Sequence, residues 1–139
     1  MSAQLIKGGI GADQPYWDAL GQGEFRLPRC TGCSRWLWPA HYRCGLCGSW
    51  DIEWVQQEPI GIIYTWSRVF FTSAETKERA EDLPYVAVLV EIPAAGGARV
   101  SGILLGEEDK LRIGAQVRGV FLPPSAKSKN YPTLAWQLI

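Results

Sequence analysis

Histidine is almost missing from this chain: His41 is the single one in 139 residues. Outside one cysteine cluster this leaves no Ser/His/Asp or Cys/His arrangement, and so little equipment for general acid–base or nucleophilic catalysis. No GxGxxG follows a strand pattern and no GxxxxGK[ST] occurs, so neither dinucleotide nor phosphate-loop chemistry is signalled. Glu91 could serve as a lone base, but at a strand end it reads better as a solvated carboxylate. Nothing here marks the chain as an enzyme by itself. An excess of one charge is also lacking, with 14 basic against 14 acidic residues. Such a chain has no global field to gather phosphate backbones, which disfavours the alternative of a single-stranded nucleic-acid-binding module. No apolar run approaches the roughly 18 residues of a membrane span. The start, MSAQLIKGGIGADQ, has neither the basic region nor the apolar run of a secretory signal. The expectation is a soluble, cytoplasmic protein with no membrane partner.

What is present is an ordinary globular mixture, 47% hydrophobic and 20% charged, sized for one domain or for a domain with a small appendage. Residues 1 to about 12 are Gly-rich and aperiodic and read as a loose arm. Asp13 then looks like an N-cap, Pro15 suits a first turn, and Tyr16, Trp17 and Leu20 follow at helical spacing before Gly21 and Gly23. A helix this short is marginal alone, so its aromatic face must pack on this domain or on a partner. From Pro59 onward the texture is β. GIIYTWSRVFF (61–71) places Ile62, Tyr64, Trp66 and Phe70 on one face, broken only by Arg68, and 84–92, 99–106, 115–122 and 133–139 read the same way. Five strands suit a small barrel, with turn signals at Pro93 to Gly97, Gly114 and Pro123-Pro124. Two connections are longer than a hairpin needs. Residues 72–83 are rich in acid and read as a solvated loop or helical turn, while 123–132 carries Lys127 and Lys129 with no acid beside them in sequence.

The four cysteines stand as Cys30-x2-Cys33, ten residues, then Cys44-x2-Cys47. Two CxxC knuckles at this separation supply four thiolates for a tetrahedral zinc ion, with Gly32, Gly45 and Gly48 giving the turns their freedom. Disulfides or a redox pair are the competing readings, disfavoured in a reducing compartment. Four thiolates leave no open position for water, so the ion is structural, standing in for a core that a segment this small cannot build. His41 could replace one ligand, but a surface or interface role suits it better. Trp36, Trp38, Trp50 and Trp54 either shield the knuckles and cement the ribbon to the barrel, or form a docking surface.

Taken in order, "PYWDALGQGEFRLPRC", "CTGCSRWLWPAHYRCGLCGSWDIEW", "GIIYTWSRV", "LPYVAVLVEI", "GILLG" and "IGAQVRGVF" resemble a bacterial and archaeal family of zinc-ribbon/OB-fold proteins long catalogued as a domain of unknown function. The resemblance runs from residue 13 to residue 139. It implies a mainly β architecture: an arm and N-terminal helix over 1–24, a rubredoxin-like zinc ribbon over 25–56 and a five-stranded OB-fold barrel over 57–139. It further implies a non-catalytic accessory subunit that binds acyl-CoA, a thiolase-like or lipid-transfer-protein-like enzyme, or both, in lipid chemistry such as steroid side-chain retro-aldol cleavage or acyl transfer. Where the family often carries Pro-Pro-Arg before the second CxxC, this chain reads Pro39-Ala40-His41-Tyr42-Arg43, with Arg43 keeping the basic position. On this reading Tyr16, Trp17, Leu20, Trp36, Trp38 and His41 are candidates for the partner interface. A CoA thioester needs a few cations and an apolar slot, and Arg43, Arg68, Lys127 and Lys129 are the candidate cations.

Overall fold

The computed structural model describes residues 11–139; most of the arm expected over residues 1 to about 12 lies outside them. Helix α1 spans Gln14–Gly21 and buries Tyr16, Ala19 and Leu20, the i, i+3, i+4 face of an amphipathic turn. Asp13 sits at the N-cap without capping the backbone. Its carboxylate instead accepts the indole N–H of Trp17 at 3.3 Å. Next come β1 (Phe25–Cys30) and β2 (Ile52–Gln57), an antiparallel pair running from Phe25 opposite Gln57 to Cys30 opposite Ile52. The cysteine loops hang between these two strands.

The remaining strands are β3 (Ile60–Val69), β4 (Tyr85–Ile92), β5 (Ala98–Leu105), β6 (Gln116–Leu122) and β7 (Thr133–Leu138), closed into a barrel in the order β3-β4-β5-β7-β6. The alternation in β4 is complete: Val86, Val88, Val90 and Ile92 are buried and the residues between them are not. β5 and β7 run parallel, which a chain turning through β6 must do to close a five-stranded barrel, and this is the OB arrangement. The acid-rich connection holds a 3-10 turn over Lys77–Asp82.

β3 departs from the expected single face. Its pairing with β4 shifts between Ile63 and Thr65, so Tyr64 is an extra residue in the ladder. Before this bulge Ile63 pairs with buried Val90; after it Trp66 pairs with buried Val88. Directly paired residues share a face, so the bulge puts Trp66 on the opposite face from Ile62. Simple alternation cannot see an inserted residue.

Ribbon and barrel are joined by one apolar core. Tyr16 and Leu20 of α1 and Phe25 and Leu27 of β1 lie in the same buried cluster as Ile63, Val90, Val117 and Trp136. Phe25 meets Trp136 edge-on at 6.2 Å and Tyr16 at 6.3 Å. Each such side chain, fully buried, contributes about 1.5–3 kcal/mol. Trp136 is fully buried because β5 offers Gly102 beneath it: a Cβ there would lie 2.8 Å from the indole Cδ1 and from the Leu134 carbonyl oxygen.

Candidate functional site

The two cysteine knuckles are built alike. Cys30 and Cys44 donate their N–H groups to Arg35 and Ser49, and accept from Ser34 and Gly48, all at 2.8–2.9 Å. Both turns need a left-handed residue after the second cysteine, supplied by Gly48 (φ 80°) and, at strain, by Ser34 (φ 66°). The knuckles bring Cys30 Sγ to 3.5 Å from Cys47 Sγ and Cys33 Sγ to 3.7 Å from Cys44 Sγ. All four sulfurs lie within 4.8 Å of one another. Tetrahedral zinc with bonds of about 2.3 Å places its sulfurs about 3.8 Å apart, which the Cys30–Cys47 and Cys33–Cys44 separations match closely. Backbone N–H groups of Cys47 and then Leu46 point at Cys44 Sγ and hold its pKa down to about 6. At Cys33 the Arg35 N–H pulls the same way but is outweighed by desolvation and the neighbouring thiols, and the pKa is pushed up to about 11. Four sulfurs this close do not all ionise without a cation among them. The four cysteines therefore form a zinc-ribbon centre for one structural ion, with Cys30 and Cys44 buried alongside Leu37 and Ile52 and the other two cysteines exposed.

Several interface candidates turn toward the chain's own core. Tyr16 and Leu20 are each 4% exposed. Trp38 packs against Tyr16 with ring centroids 4.5 Å apart. Trp36 lies over Gly96 of the β4–β5 hairpin, where any side chain would collide with it, and carries the Arg29 guanidinium 5.4 Å above its ring. Trp17 is half-buried, 5.0 Å from Tyr131. His41 is exposed, in a run from residue 30 to residue 50 that holds Arg35 and Arg43 and no acid. Tyr42 at 56%, Leu46 at 68% and Trp50 at 71% exposure stand out from the ribbon; Trp50 has a sequence signal, as one of four tryptophans with two readings, and Tyr42 and Leu46 have none.

A cleft of about 570 Å³ opens at the side of the barrel. It exists because β5 and β7 pair only at Leu104–Leu105 against Trp136–Gln137, leaving Ser101–Ile103 and Thr133–Ala135 as its walls. Trp17, Tyr85, Leu104 and Leu134 give it an apolar lining; Arg79 and Lys127 bring positive charge, balanced by the carboxylates of Asp82 and Glu108. Arg79, stacked 5.8 Å over Tyr85, had no sequence signal, because only the fold brings its loop here.

The four candidate cations do not converge. Arg43 stays on the ribbon, donating to the Gly48 carbonyl at 2.9 Å with its guanidinium 5.9 Å from the Trp50 ring. Arg68 pairs with Glu108, a residue of the cleft wall, at 2.7 Å. Lys127 and Lys129 act together: Lys127 bonds Asp82 at 2.8 Å and Glu81 at 2.9 Å, and Lys129 bonds Glu78 at 2.7 Å. The acids missing from their own segment come from the other long connection, and the two loops form an ionic clasp beside the cleft. The Lys129 hydrogen bond, followed by a backbone one, holds the Glu78 carboxyl below its usual range. Its stabilising effect is therefore complete above the ordinary Glu pKa and fades as pH falls through the lowered one. Amide protection over 77–83 and 125–130, taken relative to the intrinsic exchange rate at each pH, is expected to fall in acid and at high salt. Lys129→Ala should remove the acid effect; protection indifferent to both pH and salt would show that the clasp holds nothing.

Residues 17–53 match the family model of the ChsH2 rubredoxin-like zinc ribbon domain. A probable enoyl-CoA hydratase alpha subunit of Thermomonospora curvata is 30% identical over 110 residues, 78% of this chain, and the chain spans 33% of that relative's length. Among solved structures, the chain is similar to a chain of an Ltp2-ChsH2(DUF35) aldolase, with a TM-score of 0.77 at 24% identity, covering 96% of this chain and 98% of that one. A DUF35 protein of unknown function from Sulfolobus solfataricus gives a TM-score of 0.61 at 18% identity, covering 100% and 93%. No helix among the described residues is long and apolar enough to cross a membrane. The ribbon over residues 17–53 is thus of the ChsH2 rubredoxin-like family, and the chain has the zinc-ribbon and OB-barrel fold of the ChsH2/DUF35 proteins.

Proposed function

We propose that this chain is an accessory subunit of a thiolase-like, lipid-transfer-protein-like enzyme acting on acyl-CoA thioesters, with the bond-making and bond-breaking left to the partner. The observation that carries the reading is the end-to-end likeness to a chain of an aldolase whose own name pairs Ltp2 with ChsH2. The enoyl-CoA hydratase subunit name of the Thermomonospora relative points to the same class of substrate. The ribbon supplies rigidity rather than catalysis, since a closed four-thiolate zinc ion offers no site for water or carbonyl. In the proposed complex the cleft takes an apolar part of the thioester, and Lys127 and Lys129 exchange their carboxylate partners for its phosphates. The partner's chemistry is carbon–carbon bond cleavage of the retro-aldol kind, as in steroid side chains, or acyl transfer.

Co-expression with a thiolase-like protein from the same organism should give one complex in gel filtration, with zinc retained and the partner active only in the complex. A partner that is soluble and fully active alone, and that elutes apart from this chain, would refute the proposal. Turnover of acyl-CoA by the purified chain alone would refute the non-catalytic assignment, and tight, steeply salt-dependent binding of single-stranded DNA or RNA would point to a nucleic-acid module instead.

A further inference from the structure

The second half of β3 combines an unpaired backbone edge with exposed side chains. It pairs with β6 only through Ile60, Gly61 and Ile62. The last backbone bonds on that side join Ile63 to Gly114 and Ala115. On the other side β4 continues to pair as far as Val69. From Tyr64 onward one edge of the strand therefore has no ladder partner among the described residues. Four consecutive residues, Tyr64 to Ser67, are exposed to solvent as well, with Arg99 lying 3.8 Å over the Tyr64 ring and Arg68 5.8 Å from the ring of Trp66. Beyond them Phe70 is 68% and Phe71 81% exposed.

Sheet edges are ordinarily blunted by lysine, proline or shortness, because an open edge templates pairing with another chain. The stretch Tyr64–Phe70 has no lysine and no proline, and its one charge, Arg68, is already paired with Glu108. It is also self-complementary. Antiparallel pairing of two copies centred on Ser67 sets Trp66 opposite Arg68 of the second copy, Thr65 opposite Val69 and Tyr64 opposite Phe70. These are cation–aromatic, β-branched and aromatic pairs, each favourable across strands, and no like charges meet. A centre at Arg68 would oppose two guanidinium groups. A centre at Trp66 would call on Ile63, whose backbone is already bonded to Gly114 and Ala115. We propose that the open β3 edge, Tyr64–Phe70, binds the same edge of a second copy of this chain, forming a two-fold dimer with one sheet continuous across the axis.

The proposal is independent of the accessory-subunit reading and is tested on the zinc-loaded chain alone. Sedimentation equilibrium should show a monomer–dimer equilibrium in the micromolar range. Ser67→Lys, which sets two ammonium groups face to face on the axis, should weaken it at least about tenfold. Trp50→Lys, removing an exposed apolar side chain from the ribbon, should leave it unchanged. Because Ser67 alone faces its own copy, Ser67→Cys should cross-link through a short bis-maleimide with the zinc centre intact, whereas Thr65→Cys, opposite Val69, should cross-link far less. Variants are accepted only with one zinc per chain and wild-type circular dichroism. A chain that stays monomeric at hundreds of micromolar overturns the proposal, as does a dimer indifferent to Ser67→Lys. So does a monomer in which Ser67→Lys abolishes only binding of the thiolase-like enzyme, since the edge would then serve a partner's strand.

Discussion

Cys30→Ser is expected to empty the zinc centre and melt the ribbon. Zinc binding in such centres is worth on the order of 10 kcal/mol of folding free energy, because no preformed site survives unfolding. A ribbon this small has little else to hold it: its inner cluster is Cys30, Leu37 and Cys44, with Ile52 packed against them. Cys30 ends β1 opposite Ile52, so its loss also loosens the strand pair that carries Phe25 and Leu27 into the common core. The damage should therefore reach the barrel as a lower unfolding temperature, with the barrel's strand signal retained. Metal analysis should fall from one zinc per chain to well below one, and chelation of the wild type should reproduce the effect. Cys33→Ser, at an exposed ligand, should lose zinc equally but disturb packing less. A Cys30→Ser protein with full zinc and unchanged melting would contradict the assignment.

Trp136→Ala carries the second large effect. Truncating a fully buried aromatic side chain costs about 3–5 kcal/mol, much of a total stability of about 5–15 kcal/mol. With a urea dependence of about 2 kcal/mol per molar, the midpoint should fall by about 2 M. Trp136 is wedged between Phe25 and Gly102, so the cavity lies where ribbon, helix and barrel meet and has little freedom to collapse. Trp136→Phe should be much milder. The indole N–H is buried without a partner, and phenylalanine removes a donor whose unsatisfied burial costs about 1–3 kcal/mol while keeping most of the ring. Urea titration of the two variants checks the argument; equal losses would mean that the unpaired N–H is not a liability.

The helix, the ribbon centre and the five barrel strands were legible along the chain because each is coded by local periodicity or by ligand spacing. β4 shows this best, where every second residue is a buried Val or Ile. Three features escaped. The face of β3 was misread because one inserted residue, Tyr64, reverses the alternation beyond it. The ionic clasp was invisible because Lys127 and Asp82 lie 45 positions apart and only the closed barrel brings their loops together. The cleft had no sequence signature, since it arises from where β5 and β7 fail to pair.

The sequence by itself determined the zinc ligands, because two CxxC knuckles offer four thiolates whose geometry is set within each short turn. It also determined the five strands of the barrel, because apolar alternation is a property of each segment alone, but not the ribbon strands β1 and β2. Only the tertiary structure decided which aromatic residues remain available. Tyr16 and Trp38 are spent on the joint between ribbon and barrel, whereas Trp50, Trp66, Phe70 and Phe71 are left at the surface. Side-chain type sets how much apolar area a residue carries, but only the packing of distant segments decides whether this chain or another covers it.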